Sequence, residues 1–228
     1  MSKEVLVDTS FFEKMTCGGN HVDIFDKMVL EAGYLPVVHP YLAKYELDVR
    51  PYFKRLCASD KVRIASYDEF LEDETDRITY VNQFMVIHEE LRKVMDTNNS
   101  RKHLDKLTLP KGMTVFNYRK AGMSLGDVHM ILMAFYTGIP VIFTEDSDID
   151  ILRSITRRYI SSDNYTLDIM NAVDIIRSDV SSAGFMIEKK ELENMVKFIG
   201  ERHNLADIKT AWKDAHGDEQ PQPCKNTF

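Results

Sequence analysis

Two hydrophobic rhythms alternate along this chain. Short, nearly unbroken apolar runs predict strands over 4–7, 33–38, 62–66 and 139–143, and an alternating stretch over 165–170 predicts a fifth. Between them apolar residues recur at helical spacing. A helical region is expected within 11–31, interrupted by Gly18-Gly19, and another helix opens at His39-Pro40, where proline suits the first turn. Residues 67–107 read as mainly helical, with Val81, Phe84, Met85, Ile87, His88 and Leu91 on one face. Ser124 starts the clearest helix: Val128, Ile131, Leu132, Phe135 and Tyr136 follow at helical spacing, and Gly138 ends it. Ser124 and Asp127, three apart, match a capping-box pattern. Further helices are expected over 146–159, 171–180, 188–200 and 205–212, and a polar, proline-containing tail beyond.

Strands that alternate with helices imply crossover connections and a mainly parallel sheet, hence an α/β fold. The expected organisation is one α/β domain over 1–178 with a helical insertion at about 66–112. A C-terminal helical extension over 179–213 and a disordered tail over 214–228 follow. In open parallel sheets, ligands bind beyond the carboxyl ends of the strands. The residues that leave those ends therefore carry the functional argument.

Several of them are acidic. Asp8 follows the first strand in Val7-Asp8-Thr9-Ser10, and Asp146 follows the fourth in Phe143-Thr144-Glu145-Asp146, with Asp148 two further on. Asp127 opens the helix leading into that fourth strand, so its helix N-terminus returns to the same rim. Glu46 lies in the helix after the second strand. Carboxylates that converge in this way make an oxygen cage suited to hard divalent cations, the arrangement that metal-dependent phosphodiester hydrolysis needs. Each also has an ordinary structural use: an Asx turn for Asp8, an ion pair with Arg50 for Glu46, and helix caps for Asp127 and Asp146. Thr9, Ser10 and Thr144 are placed to orient these carboxylates. Glu145 reads as solvated.

Composition narrows the field without deciding it. A net charge of −7 argues against a general charge-driven nucleic-acid binder. Charge is segregated, however. Residues 101–120 carry six Lys/Arg against one acid, and 68–76 are acidic at six of nine positions. Arg119, Arg153 and Arg157 are candidate holders of substrate phosphates. The three cysteines, Cys17, Cys57 and Cys224, form no paired metal motif and read as free thiols of a reducing cytoplasm. The histidines show no ligand spacing; His129 reads as core or surface, and Met123, Met130 and Met133 as gap-filling core. No apolar stretch reaches the ~20 residues of a membrane span. A haloacid-dehalogenase-type phosphatase would want a second Asp where Ser10 stands.

These motifs, in this order, resemble the PIN domain. They are strand-Asp8-Thr9-Ser10, Glu46-Leu47 in a helix, Asp127 ahead of a helix ending in Gly138, and strand-Thr144-x-Asp146 with Asp148. The resemblance covers roughly 3–50 and 113–176. It implies a three-layer α/β/α sandwich and a ribonuclease dependent on Mg²⁺ or Mn²⁺. Asp8, Glu46, Asp127 and Asp146 would be the catalytic metal ligands and Asp148 a further ligand. RNA is the implied substrate. Many such proteins are toxins held by an antitoxin-type partner, but the long stretch between Glu46 and Asp127 and the segment after Val180 depart from compact toxin-type members. A catalytically degenerate module that binds RNA or a partner protein is the alternative; the C-terminal helices are open to either dimerisation, as a homodimer, or lid formation.

Overall fold

The computed structural model describes residues 3–97, 103–160, 166–182 and 184–217. Its centre is a five-stranded, all-parallel sheet, so the α/β class expected from the sequence is the one observed. The strands are β1 (Lys3–Val7), β2 (Tyr34–Val38), β3 (Arg63–Ile64), β4 (Val141–Phe143) and β5 (Asp168–Met170), in spatial order β3-β2-β1-β4-β5. The expected strand start at Tyr165 falls outside the described residues. Val5, Leu6 and Val7 of β1 and all of β4 are buried, as strands covered on both faces must be.

The chain first builds outward from β1 to β2 and β3, then crosses back to add β4 and β5 on the other side of β1. The connections therefore reverse direction between β1 and β4. This reversal opens a crevice at the carboxyl ends of those two strands.

Helices flank the sheet. In chain order they are α1 (Thr9–Met15), α2 (Val22–Phe25), α3 (Pro40–Leu42), α4 (Pro51–Ala58), α5 (Glu74–Thr97), α6 (Leu125–Thr137), α7 (Asp148–Ile160), α8 (Ala172–Val180), α9 (Lys189–Phe198) and α10 (Leu205–His216). α5, α6 and α7 pack on one another, while α8 packs on α1 and α10. The glycines at the α1–α2 break adopt positive φ (Gly18 +66°, Gly19 +95°), which a side chain would resist. Gly138, at +69°, ends α6.

One sequence expectation needs correction. The helical stretch expected over 67–107 is shorter: a single 3₁₀ turn, Tyr67–Glu69, precedes α5, which ends at Thr97. Residues 98–102 lie outside the described set, and 103–107 are irregular. Leu104, Leu107 and Val115 are nonetheless buried, so this segment is held by side chains rather than by a helical ladder. The C-terminal helices expected over 179–213 share the buried core. Leu192, Val196 and Ile208 are fully buried, and the Trp212 indole donates to Ile187 O at 3.1 Å. Cys17 and Cys57 are free, as expected; Cys224 and the tail from residue 218 lie outside the described residues. Among the described residues no helix is long and apolar enough to cross a membrane.

Candidate metal centre

The crevice between β1 and β4 is where the acids meet. The Asp8 amide continues the sheet ladder by donating to Phe143 O at 2.9 Å, which sets Asp8 beside Thr144. Asp8 is 5% exposed and also caps α1, accepting from the Ser10 amide at 3.3 Å. Its Oδ2 also accepts from the Ser10 hydroxyl and, at 3.0 Å, from the Thr144 hydroxyl. Ser10 and Thr144, both expected near the carboxylates, thus touch the same oxygen of Asp8. Thr144 serves both strand ends, because its oxygen accepts from the Asp146 amide at 3.0 Å.

Asp146 caps α7 by accepting from the Asp148 amide at 3.0 Å. This use as a cap does not remove it from the crevice. Asp127, Asp146 and Asp148 each offer a carboxylate oxygen, and those oxygens lie within 4.8 Å of one another, close enough to share one cation. Asp148, a secondary candidate from the sequence, thus belongs to the tightest group.

Glu46 arrives from the opposite wall. α3 starts at Pro40 and widens into a π-helical turn over Ala43–Leu47 that carries it. Such widenings recur where a helix must re-aim a functional side chain. The Thr9 hydroxyl donates to Glu46 Oε2 at 2.7 Å. The ion pair weighed for Glu46 and Arg50 does not form; Arg50 pairs with Glu13 at 2.8 Å instead.

Ser124 does not cap α6 in the expected way. A cap normally sits in the extended region, but Ser124 has φ +48° and ψ +33°, the left-handed region, and makes no side-chain cap bond. Its hydroxyl faces the Asp127 carboxylate and acts to lower that group's pKa, against the larger effect of burial. A non-glycine residue held in this conformation stores strain of order 1 kcal/mol, and such residues cluster at functional sites.

The electrostatics follow from crowding. Burial pushes the Asp127 carboxyl well above the ordinary range, and the charges of Asp8, Asp146 and Glu46 push it further. Burial raises Asp8 against the opposing hydrogen bonds from Ser10 and Thr144. Glu46 is raised by burial and by the charge of Asp8. Crowded carboxyl groups of this kind relieve their repulsion by holding protons, and they could hold a cation.

The cleft above these acids has a volume of about 420 Å³. Tyr41, Tyr45 and Glu46 form one wall and the 119–124 loop the other, with Arg119 and Lys120 at its lip. Arg119 acts electrostatically on Glu46 and Tyr41, while Lys120 pairs with Asp105 at 2.7 Å. Arg153 and Arg157 are not among the lining residues. α7 runs away from the rim, and at 1.5 Å per residue Arg157 stands ~14 Å along the axis from Asp148. Arg153 is engaged with Asp150 and Leu167 O. Glu145, expected to be solvated, is exposed but accepts from the Ala172 amide at 2.7 Å.

His129 is core: fully buried, with its pKa lowered by burial to about 3. The sequence gives no place in the site itself to Gly126, Ser124, Tyr41 or Tyr45. Gly126 had a signal, since it interrupts a helix start next to a candidate ligand; the tyrosines had none. Comparison of the chain with family models, with curated proteins and with solved structures returned no match.

Proposed function

We propose that this chain is a metal-dependent ribonuclease of PIN-domain type, with Mg²⁺ or Mn²⁺ as its cofactor. The observation that carries this reading is the convergence of Asp127, Asp146 and Asp148 within one ion's reach, with Asp8 and Glu46 facing the same cleft. The donor set fits the metal: all are carboxylate oxygens, which hard cations prefer, and no thiol or imidazole intrudes among the lining residues. When bound, the cation would activate water for in-line attack at phosphorus and neutralise charge on the phosphoryl oxygens.

The chain's own groups do the positioning. Ser10 and Thr144 fix Asp8 through Oδ2, and Thr9 fixes Glu46 through Oε2. Arg119 at the lip supplies the positive charge that a phosphate approaching an acidic cleft requires. The resemblance supplies RNA as the polymer.

The test is cleavage of an end-labelled single-stranded RNA by the full chain with Mn²⁺, with EDTA, and with the Asp8→Asn variant. Cleavage only by the unaltered chain with Mn²⁺ is expected. Binding of RNA without cleavage would favour the degenerate module instead.

A further inference from the structure

A chain of hydrogen bonds lies behind the cleft, and its proton positions follow from its partners. His39, which caps α3, accepts the Tyr41 amide through Nδ1 at 3.0 Å. Its Nε2 therefore carries hydrogen, and that nitrogen faces the Tyr80 hydroxyl at 3.4 Å. His129 Nε2 faces Val115 O at 2.9 Å. A carbonyl only accepts, so this Nε2 also carries hydrogen, and the bare Nδ1 accepts from the Tyr80 hydroxyl at 2.8 Å. The Tyr80 hydroxyl thus accepts from one imidazole and donates to another. All three side chains are at most 1% exposed, which leaves no bulk water to replace a lost partner.

The segments joined in this way are the walls of the cleft. His39 begins the turn that carries Glu46. His129 sits two residues after Asp127 on α6. Val115 belongs to the segment that continues into Arg119 and the 119–124 loop. The Tyr41 ring lies 4.5 Å from the His129 ring, and the Tyr41 hydroxyl donates to Tyr118 O at 2.8 Å. We propose that Tyr80 is a positioning residue, whose hydroxyl locks the Glu46 wall, the Asp127 helix and the Arg119 loop into the one arrangement that binds the cation. This rests on the reading of the cleft as a metal site.

Removal of the hydroxyl leaves His129 Nδ1 and the His39 Nε2–H without partners in the core. Two imidazole rings whose centroids are 4.8 Å apart then have to repack, and they carry the two ligand-bearing elements with them. Outer groups that orient metal ligands are worth about 10- to 100-fold in affinity. A purely structural role is separated by a control: the Tyr136 hydroxyl donates to Gln83 Oε1 at 2.7 Å and also joins α5 to α6, but lies outside this chain of bonds.

The experiment is a calorimetric Mn²⁺ titration of the full chain, of Tyr80→Phe and of Tyr136→Phe, with ¹⁵N NMR of the histidine side chains in the metal-free unaltered protein. Tyr80→Phe is expected to bind Mn²⁺ about tenfold more weakly, and Tyr136→Phe to lose thermal stability at unchanged affinity. His39 and His129 are expected to show Nε2–H tautomers, a reading that needs no variant to fold. Equal affinity of Tyr80→Phe and the unaltered chain, or an Nδ1–H tautomer at His129, overturns the proposal. Failure of the unaltered chain itself to take up Mn²⁺ overturns the metal reading and this proposal with it.

Discussion

Glu46 reaches the cleft because residue 126 has no side chain. A Cβ on Gly126 would overlap Glu46 Oε1 and press on Leu42 Cδ1 at 3.3 Å. Gly126 is helical and buried in the first turn of α6, where alanine would ordinarily stabilise by ~0.5–1 kcal/mol. Gly126→Ala should therefore leave thermal stability unchanged or higher while it displaces the Glu46 carboxylate. Mn²⁺ affinity by calorimetry should fall about tenfold, the scale of a disturbed ligand shell. A stable Gly126→Ala protein with parental affinity would remove Glu46 from the site.

Asp127 repels every acid around it. Asp127→Asn should raise the melting temperature of the metal-free protein, by an amount corresponding to ~1–2 kcal/mol, because one of several crowded charges is gone. The same variant should lose the stabilisation that Mn²⁺ gives and should not cleave RNA. Differential scanning calorimetry with and without Mn²⁺ checks both halves, and cleavage of RNA at the parental rate would end the site assignment.

The acids also set a pH dependence. Asp8, Glu46 and Asp127 all have folded-state pKa values raised above the ordinary carboxylate range. A raised value means that the folded state holds more protons, so stability is full below the unfolded pKa of about 4 and declines as pH rises through the folded values. Cations bind the ionised form, so their contribution grows over the same interval. The metal-free melting temperature should fall as pH rises from about 4, and the increment from Mn²⁺ should be larger at pH 8 than at pH 5. A larger increment at pH 5 would contradict this.

Asp179 carries a separate titration. It lies in α8 at 6% exposure, its Oδ2 has no hydrogen-bond partner among the described residues, and burial raises its pKa to about 7. By the same sign, it costs the folded state stability as pH rises from about 4 through 7. Asp179→Asn cannot ionise and should be more stable than the parent at pH 8 by roughly 1–3 kcal/mol, with little difference at pH 5. Thermal melts at the two pH values decide it; equal pH dependence in both proteins would show that Asp179 does not titrate there.

The strands and the rim were legible because both follow from short-range pattern. Four of the five strands lie within the expected stretches and β1 begins one residue before its own, and Asp8 and Asp146 are placed simply by being the residues that leave β1 and β4. Asp127 followed from the antiparallel sense of a crossover helix. What was hidden depends on contacts between distant segments. The bond between Thr9 and Glu46 spans 37 positions and that between Tyr80 and His129 spans 49, and no local periodicity encodes either. The left-handed Ser124 was misread because its sequence satisfies a capping box while its backbone does not. Arg153 and Arg157 were misplaced because a run of arginines discloses charge but not the direction in which its helix leaves the site.

Whether these carboxylates share one cation is decided by anomalous diffraction. Crystals grown with Mn²⁺ should give an anomalous difference peak within coordination distance, about 2.0–2.5 Å, of carboxylate oxygens from Asp127, Asp146 or Asp148, on the side facing Asp8 and Glu46. A protein that crystallises with those carboxylates ordered and no peak between them, or with its manganese bound elsewhere, would contradict it.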